Sequence, residues 1–238
     1  MGEDLVLKLF PPVYGDETDI EAAVLHAVHG KLTVPTPKLH ETGEFDGWGY
    51  VLMERMKGTQ VTNPTTSQCA QLGEALRALH EIEPPQQLPA PDWPEFVATQ
   101  TVGCQQRQRD RGLTPALLDQ IPDFLAKVDL GTPKMAMLHT EVMNAHLVEQ
   151  DGVLTGLFDF EPSMRGATEY EFVSTGIFVA RGDPEKQRAV QSGYGSRPDP
   201  DVVMAHTLLH VYSNLPRYLT VMPGEATLEG LAQRWFAG

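Results

Sequence analysis

The chain is poor in positive charge, and that shortage limits the partners it can bind. Its 238 residues include 18 Lys+Arg against 32 Asp+Glu, which gives a formal net charge of −14. Nucleic-acid phosphates are bound by lysine and arginine side chains, so we expect no nucleic-acid partner. A small cationic ligand would suit this balance, although acidity by itself also serves solubility.

Cysteines and long apolar runs are scarce as well. Cys69 and Cys104 are too few for a disulfide framework, or for a zinc cluster without histidine ligands. A reducing, cytoplasmic location is therefore expected. No apolar run approaches the roughly 18 residues of a membrane span. Residues 1–4 are acidic rather than the basic start of a secretory signal, so we expect no membrane association.

The apolar residues that are present, together 41% of the chain, are enough to build a core. Their pattern favours strands in the first quarter of the chain. Residues 3–10 are predicted to form a strand and residues 16–30 a helix. A hairpin is predicted over 38–56, because Asp46-Gly47 is a typical two-residue hairpin turn. We assign residues 1–58 to a small N-terminal lobe.

The remaining residues, 59–238, favour helices with one β-hairpin at Asp151-Gly152. Pro216 is expected to kink or end the helix that contains it. Together the two parts predict an α+β, two-lobed architecture. Helices are predicted at about 66–82, 95–110, 115–128, 168–181, 184–193, 200–221 and 225–236.

Lys8 is the first residue that suggests chemistry. It lies in the apolar segment Leu-Val-Leu-Lys-Leu-Phe, where strand alternation alone would place it on a solvent-exposed face. Glu21, on the following predicted helix, could pair with it. Taken alone, Glu21 is also an ordinary acid near a helix start.

A second set of polar residues lies in apolar surroundings near the middle of the chain. His139, Glu141 and His146 occur in an apolar segment, and Asp159 follows between two phenylalanines. Burying acids costs several kcal/mol unless they are paired or bind a cation. Because one hairpin separates the two places, we expect a shared site with a divalent cation. Oxygen ligands favour Mg²⁺ over zinc.

The order of these elements resembles the aminoglycoside phosphotransferase family, which shares the protein-kinase-like fold. The resemblance covers nearly the whole chain and includes segments similar to the hygromycin-type branch. It rests on Lys8 in Val-Leu-Lys-Leu-Phe, Glu21, the hinge Val-Leu-Met-Glu-Arg-Met-Lys-Gly at 51–58, the catalytic loop His-Thr-Glu-Val-Met-Asn-Ala-His at 139–146, and Asp159 in Leu-Phe-Asp-Phe-Glu.

The resemblance implies a nucleotide site in the shortened N-terminal lobe. Lys8 would contact the phosphates of ATP, or of GTP as the alternative donor, and Glu21 would hold Lys8. Backbone groups of Glu54 and Met56 in the hinge would bind the purine.

The resemblance also implies a catalytic loop and a metal site in the helical lobe. Glu141, with His139 in the same loop, would be catalytic and accept the hydroxyl proton. His146 and Asp159 would hold Mg²⁺. Glu171 matches a family acid that braces the loop.

Three features depart from the family pattern. Glu141 replaces an aspartate, and His146 replaces an asparagine whose oxygen suits Mg²⁺ better than imidazole does. Only seven residues precede Lys8, where the family has two strands and a phosphate-covering loop. An exposed sheet edge is therefore expected, and it could support a dimer.

Three functional hypotheses follow. The first is an ATP- and Mg²⁺-dependent O-phosphotransferase that acts on an aminoglycoside-like antibiotic and confers resistance. The second is a catalytically degenerate, kinase-like protein that binds a nucleotide or small molecule. The third keeps the chemistry but changes the acceptor to a macrolide or a choline-like amine.

Overall fold

The computed structural model describes residues 4–238, and the chain begins there with a three-stranded antiparallel sheet. Strands β1 (Leu5–Phe10), β2 (Leu39–Phe45) and β3 (Trp48–Glu54) are arranged in the order β1-β3-β2. The turn between β2 and β3 has positive φ at both Asp46 and Gly47, as a type I′ hairpin requires. The predicted hairpin is confirmed. The predicted first strand is confirmed from Leu5, and its residue 3 lies outside the described residues.

Helix α1 (Gly15–Val28) packs against this sheet. Asp16 and Glu17 in its first turn stabilise the helix, because their negative charges lie at the positive end of the helix dipole. Val24, Leu25 and Val28 are fully buried on one face. Because Glu21 lies on that same inward face, one turn before Leu25, its side chain is also buried.

Strand β1 lies at one end of the sheet and pairs only with β3 among residues 4–238. Three of its apolar side chains are exposed: Val6 at 39%, Leu7 at 39% and Leu9 at 55%. The expected exposed sheet edge is thus present, and it is apolar.

The rest of the chain is mainly helical. Its elements are β4 (Thr59–Gln60), α2 (Thr66–Leu79), α3 (Trp93–Asp110), α4 (Pro115–Leu118), α5 (Ile121–Lys127), β5 (Met135–Leu138), β6 (Leu147–Gln150), β7 (Val153–Leu157), β8 (Met164–Ala167), α6 (Glu171–Ser174), α7 (Pro184–Tyr194), α8 (Pro200–Leu209), α9 (Leu215–Tyr218) and α10 (Leu228–Phe236). Two small sheets flank residues 139–146: one pairs β5 with β8, and the other has the order β4-β6-β7.

Two predicted helices are shorter than the sequence pattern indicates. The helix predicted over 115–128 is divided into α4 and α5, and Pro122 lies in the first turn of α5 because it has no N–H to donate. The helix predicted over 200–221 ends at Leu209, and His210 is extended with ψ 138°. Pro216 therefore does not end that helix; it lies in the first turn of α9 instead.

The helix predicted over 168–181 is also irregular. It begins as a 3₁₀ turn over Thr168–Tyr170, continues as α6, and becomes a π-helix over Thr175–Ala180. Strands β4 and β8 were not predicted, since two and four residues are too short to show a periodic pattern.

The largest cluster of buried apolar side chains contains residues from both sides of Gly58 in the sequence. It includes Val24 and Val51 from the N-terminal part, and Leu72 and Leu208 from the helical part. The α+β class is confirmed. No helix within residues 4–238 combines the length and apolar character that a bilayer crossing requires.

Candidate active site

Lys8 is the centre of a charged cluster between the N-terminal sheet and the strand-rich part of the helical region. Its ammonium Nζ donates to Glu21 Oε2 at 3.0 Å, Asp159 Oδ1 at 2.6 Å and Glu161 Oε2 at 2.5 Å. The Glu21 side chain is fully buried, whereas those of Lys8, Asp159 and Glu161 are 22%, 30% and 23% exposed. Residues more than 130 positions apart thus meet at one point.

The protonation states follow from this geometry. Burial would lower the pKa of Lys8, but its three carboxylate partners outweigh burial and raise the pKa above its usual value. Burial would likewise raise the pKa of Asp159, yet hydrogen bonding to Lys8 holds it below the usual range. Burial raises the pKa of Glu21, with Lys8 opposing that shift. Lys8 and Asp159 are therefore charged at neutral pH.

The loop between β5 and β6 is held from behind by Glu171. Its carboxylate accepts the backbone N–H of His139 at 2.7 Å and that of Thr140 at 3.1 Å. His80 Nε2 lies 3.5 Å from the same carboxylate, and His80 Nδ1 lies 2.8 Å from the Tyr194 hydroxyl. Both Glu171 and His80 are buried. Helices α2, α6 and α7 therefore jointly set the position of the loop.

Glu141 follows this anchor and is half-buried. Burial, followed by the charges of Glu161 and Asp159, raises its pKa above the usual value. A carboxylate with a raised pKa is a better proton acceptor. Glu141 also lines a cavity of about 180 Å³, together with the neighbouring Thr140.

His139 and His146 have different surroundings from those expected of groups that face a ligand. The His139 side chain is fully buried, and its Nε2–H donates to the carbonyl oxygen of Phe158 at 3.1 Å. His146 Nε2 lies 3.1 Å from Asp159 Oδ2. The two imidazole rings stack with centroids 5.9 Å apart. Burial and His139 lower the pKa of His146, so it is a neutral donor to Asp159.

Two residues at the site have a left-handed backbone that side-chain-bearing residues rarely adopt. Thr140 has φ 67° and Asp159 has φ 76°. Such positions cost of order 1 kcal/mol and persist when surrounding contacts impose them. Glu171 imposes this on Thr140, whose hydroxyl also donates to the Pro162 carbonyl at 2.9 Å. At Asp159 the strained turn points the carboxylate at Lys8.

The donor set fits a hard divalent cation. Glu21, Asp159 and Glu161 each offer a carboxylate oxygen within 4.8 Å of the other two. Mg²⁺ prefers such oxygen ligands. His146 is beside this group, but it ligates poorly here because its Nε2–H is directed at Asp159.

The predicted hinge residues lie at the end of β3. The Glu54 backbone N–H already donates to the Lys38 carbonyl at 2.9 Å. Of the two backbone groups of Glu54, the carbonyl is therefore the one for which the predicted purine contact is retained. Met56 follows the strand and packs against Gly156 of β7, where a Cβ atom would lie 2.9 Å from Met56 Cβ. The predicted hinge is therefore in direct contact with β7, the strand that leads to Asp159.

The part that Glu161 plays in this cluster was not predicted. The sequence signal for it was a second acid two residues after Asp159, in Asp159-Phe160-Glu161. Phe160, between the two acids, is fully buried. His80 and Tyr194 were missed because their role depends on contacts between helices.

Comparison with solved structures identifies the fold. The macrolide 2'-phosphotransferase MphH from Brachybacterium faecium is similar with a TM-score of 0.68 and 17% identity, over 98% of this chain and 83% of that one. For a GDP complex of aminoglycoside 2'-phosphotransferase-IIIa the values are 0.69 and 16%, over 96% and 86%. For AMP-bound spectinomycin phosphotransferase they are 0.64 and 17%, over 97% and 87%. The predicted protein-kinase-like fold is confirmed.

Family membership rests on a sequence match. Residues 2–206 match the phosphotransferase enzyme family, APH, which confirms the predicted resemblance and the predicted enzyme class, a phosphotransferase with an alcohol group as acceptor. The matched segment holds the whole Lys8 cluster and the loop that Glu171 braces. Because fold and sequence agree over these residues, the chain belongs to the phosphotransferase enzyme family.

Proposed function

We propose that this protein transfers the γ-phosphoryl group of ATP to a hydroxyl group of a small molecule in the presence of Mg²⁺. The observation that carries the proposal is the Lys8 cluster, which unites Glu21 and Asp159 within 3.0 Å of one ammonium beside the half-buried Glu141. Phosphoryl transfer depends mainly on positioning and charge neutralisation, and this set of groups can supply both.

In this proposal residues 1–58 form the nucleotide side. Lys8 binds phosphate oxygens, and Glu21 keeps the Lys8 side chain directed into the cleft. The Glu54 carbonyl and the Met56 N–H bind the purine. GTP is the alternative donor, and three neighbours of known structure are complexes with AMP, GDP and ADP, respectively.

Residues 59–238 supply the catalytic loop. Glu141 accepts the proton of the acceptor hydroxyl while the hydroxyl oxygen bonds to the γ-phosphorus. The bond between the γ-phosphorus and the β-phosphate oxygen breaks, and ADP is released. His139 does not touch the reacting atoms. It positions the loop, because its ring Nε2–H donates a hydrogen bond to the Phe158 carbonyl and its backbone N–H donates one to Glu171.

Asp159 and Glu161 are the proposed Mg²⁺ ligands, and His146 orients Asp159 rather than binding the metal itself. When bound, Mg²⁺ neutralises charge on the phosphates. Lys8 balances these carboxylates, because its ammonium contacts both.

The proposed acceptor is a hydroxylated, amine-bearing antibiotic in the cytoplasm. Structural neighbours include phosphotransferases named for aminoglycosides, spectinomycin and macrolides. The carboxylates of Glu17, Glu141 and Glu161 support a cationic acceptor, because they contribute negative potential at the mouth of the cavity. An aminoglycoside-like compound is the first candidate, with a macrolide or a choline-like amine as the alternative.

The test is ATP binding by calorimetry with and without Mg²⁺, followed by ADP release in an antibiotic panel. We expect Mg²⁺-dependent binding, and at least about a 100-fold loss of turnover in Asp159→Asn, since removing one charge-stabilising group has that order of effect. Asp151→Asn is the matched control, because Asp151 is an exposed aspartate with the same left-handed backbone. Full turnover by Asp159→Asn would contradict the proposed metal role.

A non-catalytic binding protein is the second candidate. It is favoured by His146, which stands where the family has an asparagine. Its Nε2–H contacts Asp159 Oδ2 and so occupies one of the two carboxylate oxygens of Asp159. This candidate predicts ATP binding without ADP release by the natural chain. Activity that appears only in the double variant Glu141→Asp/His146→Asn would support it.

A further inference from the structure

The cavity beside Glu141 accepts only part of a ligand. Its volume of about 180 Å³ lies below the roughly 300–1,000 Å³ of pockets that enclose a drug-sized molecule. One substituent can therefore enter, with the remainder of the molecule outside. Part of the lining lies beyond residue 206, where the family match ends: His210, Tyr212, Asn214, Arg217 and Tyr218. His210 and Tyr218 are buried, whereas Tyr212 and Arg217 are exposed.

Charged groups are few around the cavity. Within residues 4–238, Glu141 is the only acid that lines it, and the exposed Arg217 is its one permanent cation. Within residues 4–238 the Arg217 side chain forms no ion pair. His210 also lines the cavity, and burial lowers its pKa to about 4, so its ring is neutral. A ligand with several ammonium groups would lack counter-charges here and would face a guanidinium.

The remaining surface is apolar and aromatic. Phe178 and Tyr218 meet edge to face with ring centroids 6.0 Å apart, and Val173 is buried beside them. Met143 adds a flexible apolar side chain. Such rings stabilise methylated or deoxygenated sugar faces and other apolar groups by removing them from water.

The mouth of the cavity differs from its wall. Tyr212 at the mouth is 64% exposed. Partial burial, and then the charges of Glu141 and Glu17, raise its pKa. A single positive charge is therefore favoured beside Glu141, near the reacting hydroxyl, whereas the apolar part of the lining favours none.

We propose that the acceptor inserts an apolar, hydroxyl-bearing group with no more than one positive charge, and that Arg217 excludes polycations. This inference rests on the proposed function and, among the acceptors proposed there, favours the macrolide alternative over the aminoglycoside-like first candidate. A macrocycle with one amino sugar has this chemistry, whereas an aminoglycoside with several amines does not.

The experiment compares two probes by calorimetry on the full chain. Erythromycin supplies one amine on an apolar body, and kanamycin supplies several amines. We expect erythromycin to bind the unaltered protein at least about tenfold more tightly. Arg217→Glu should move the ratio toward kanamycin by about tenfold, which corresponds to about 1.4 kcal/mol for one new ion pair. Arg217→Gln should move it in the same direction by less.

Arg188→Glu is the control, because Arg188 is exposed on α7 and changes the net charge equally. It should leave the ratio unchanged. Tighter kanamycin binding, no erythromycin binding, or an unchanged ratio in Arg217→Glu would each overturn the inference.

ATP binding without an acceptor separates this inference from the proposed function. If ATP and Mg²⁺ do not bind but the probe preference holds, phosphoryl transfer is wrong and the cavity chemistry stands. If ATP and Mg²⁺ bind but kanamycin is preferred, the cavity inference is wrong and the nucleotide site stands.

Discussion

Glu141 and Asp159 are carboxylates of one cleft, yet their surroundings shift their pKa values in opposite directions. Burial and two neighbouring carboxylates raise that of Glu141. The Lys8 ammonium outweighs burial at Asp159 and lowers its pKa. Groups whose pKa values are separated in this way can divide the roles of proton acceptor and permanent anion.

The first prediction concerns the pH dependence of turnover. Because Glu141 must be deprotonated to accept a proton, kcat should rise with pH through an acid limb displaced above the ordinary glutamate pKa of about 4.3. Glu141→Gln should lower kcat by about 10²–10⁴-fold and abolish that limb. ADP release measured across pH checks this. Glu44→Gln, at an exposed site on β2, is the control and should keep the pH profile of the natural protein. If Glu141→Gln keeps the acid limb, that limb reports the titration of another group.

The second prediction concerns stability at acid pH. Burial lowers the pKa of both His206 and His210 to about 4, in a cluster that includes Trp93 and Tyr170. The unfolded chain then takes up protons at about pH 6.5, before the folded chain does. The free energy of unfolding should therefore have its full value above about pH 6.5 and decrease toward pH 4, by about 3 kcal/mol for each histidine.

Urea denaturation between pH 4 and pH 8 measures this loss. His206→Gln should flatten the dependence by about half, since it removes one of the two groups. His26→Gln, on the exposed face of α1, should leave it unchanged. Equal slopes in all three proteins would show that other groups cause the acid loss.

At the scale of elements, the site depends on how closely two helices approach. A Cβ atom on Gly73 of α2 would lie 2.1 Å from the Val190 carbonyl oxygen, and one on Gly193 of α7 would lie 2.0 Å from that of Ala70. These contacts are between backbones, so only glycine fits. The close approach also places Tyr194 of α7 against His80, which adjoins the Glu171 carboxylate that holds the loop between β5 and β6.

The third prediction follows from this contact. Gly193→Ala should destabilise the protein by about 1–3 kcal/mol, because the backbone of α2 must shift to admit the methyl group. Urea denaturation gives the change. The adjacent, exposed Ser192→Ala is the matched control and should stay within about 0.5 kcal/mol of the natural protein. Equal stability of the two variants would contradict the close packing.

Element boundaries illustrate the limit of periodic patterns. The Asp46-Gly47 hairpin was predictable because its turn chemistry is local. The end of α8 at Leu209 was not, because the apolar pattern continues beyond it. There, His210 turns to stack on Tyr170 at 4.8 Å, which is a tertiary contact.

For the molecule as a whole, the apolar edge of the N-terminal sheet is the feature that bears on association. Leu7 and Leu9 are exposed on β1, which has no strand partner on its outer side within residues 4–238. An edge of this kind is a template for pairing with another chain. The predicted dimer through this edge stays a prediction.

The fourth prediction tests it by sedimentation velocity over a range of concentrations. We expect concentration-dependent self-association of the natural chain, and at least about a tenfold weaker association for Leu9→Lys, because a charge on an edge strand opposes pairing. Val102→Lys, at an 89% exposed position on α3, is the control. A monomer at all concentrations, or equal association in both variants, would contradict a dimer at this edge.

Local sequence was enough to predict turns, several helices and strands, and the residues that match the family motifs. Lys8 in a strand, Glu21 in a helix and Glu141 in a loop could be read because each depends on neighbouring residues or on motif order. Which of these groups come into contact could be seen only in the folded chain. Glu161 joins Lys8 across 153 positions, and Arg217 faces the cavity at Glu141, because packing of separate elements fixes distances that spacing along the chain does not contain.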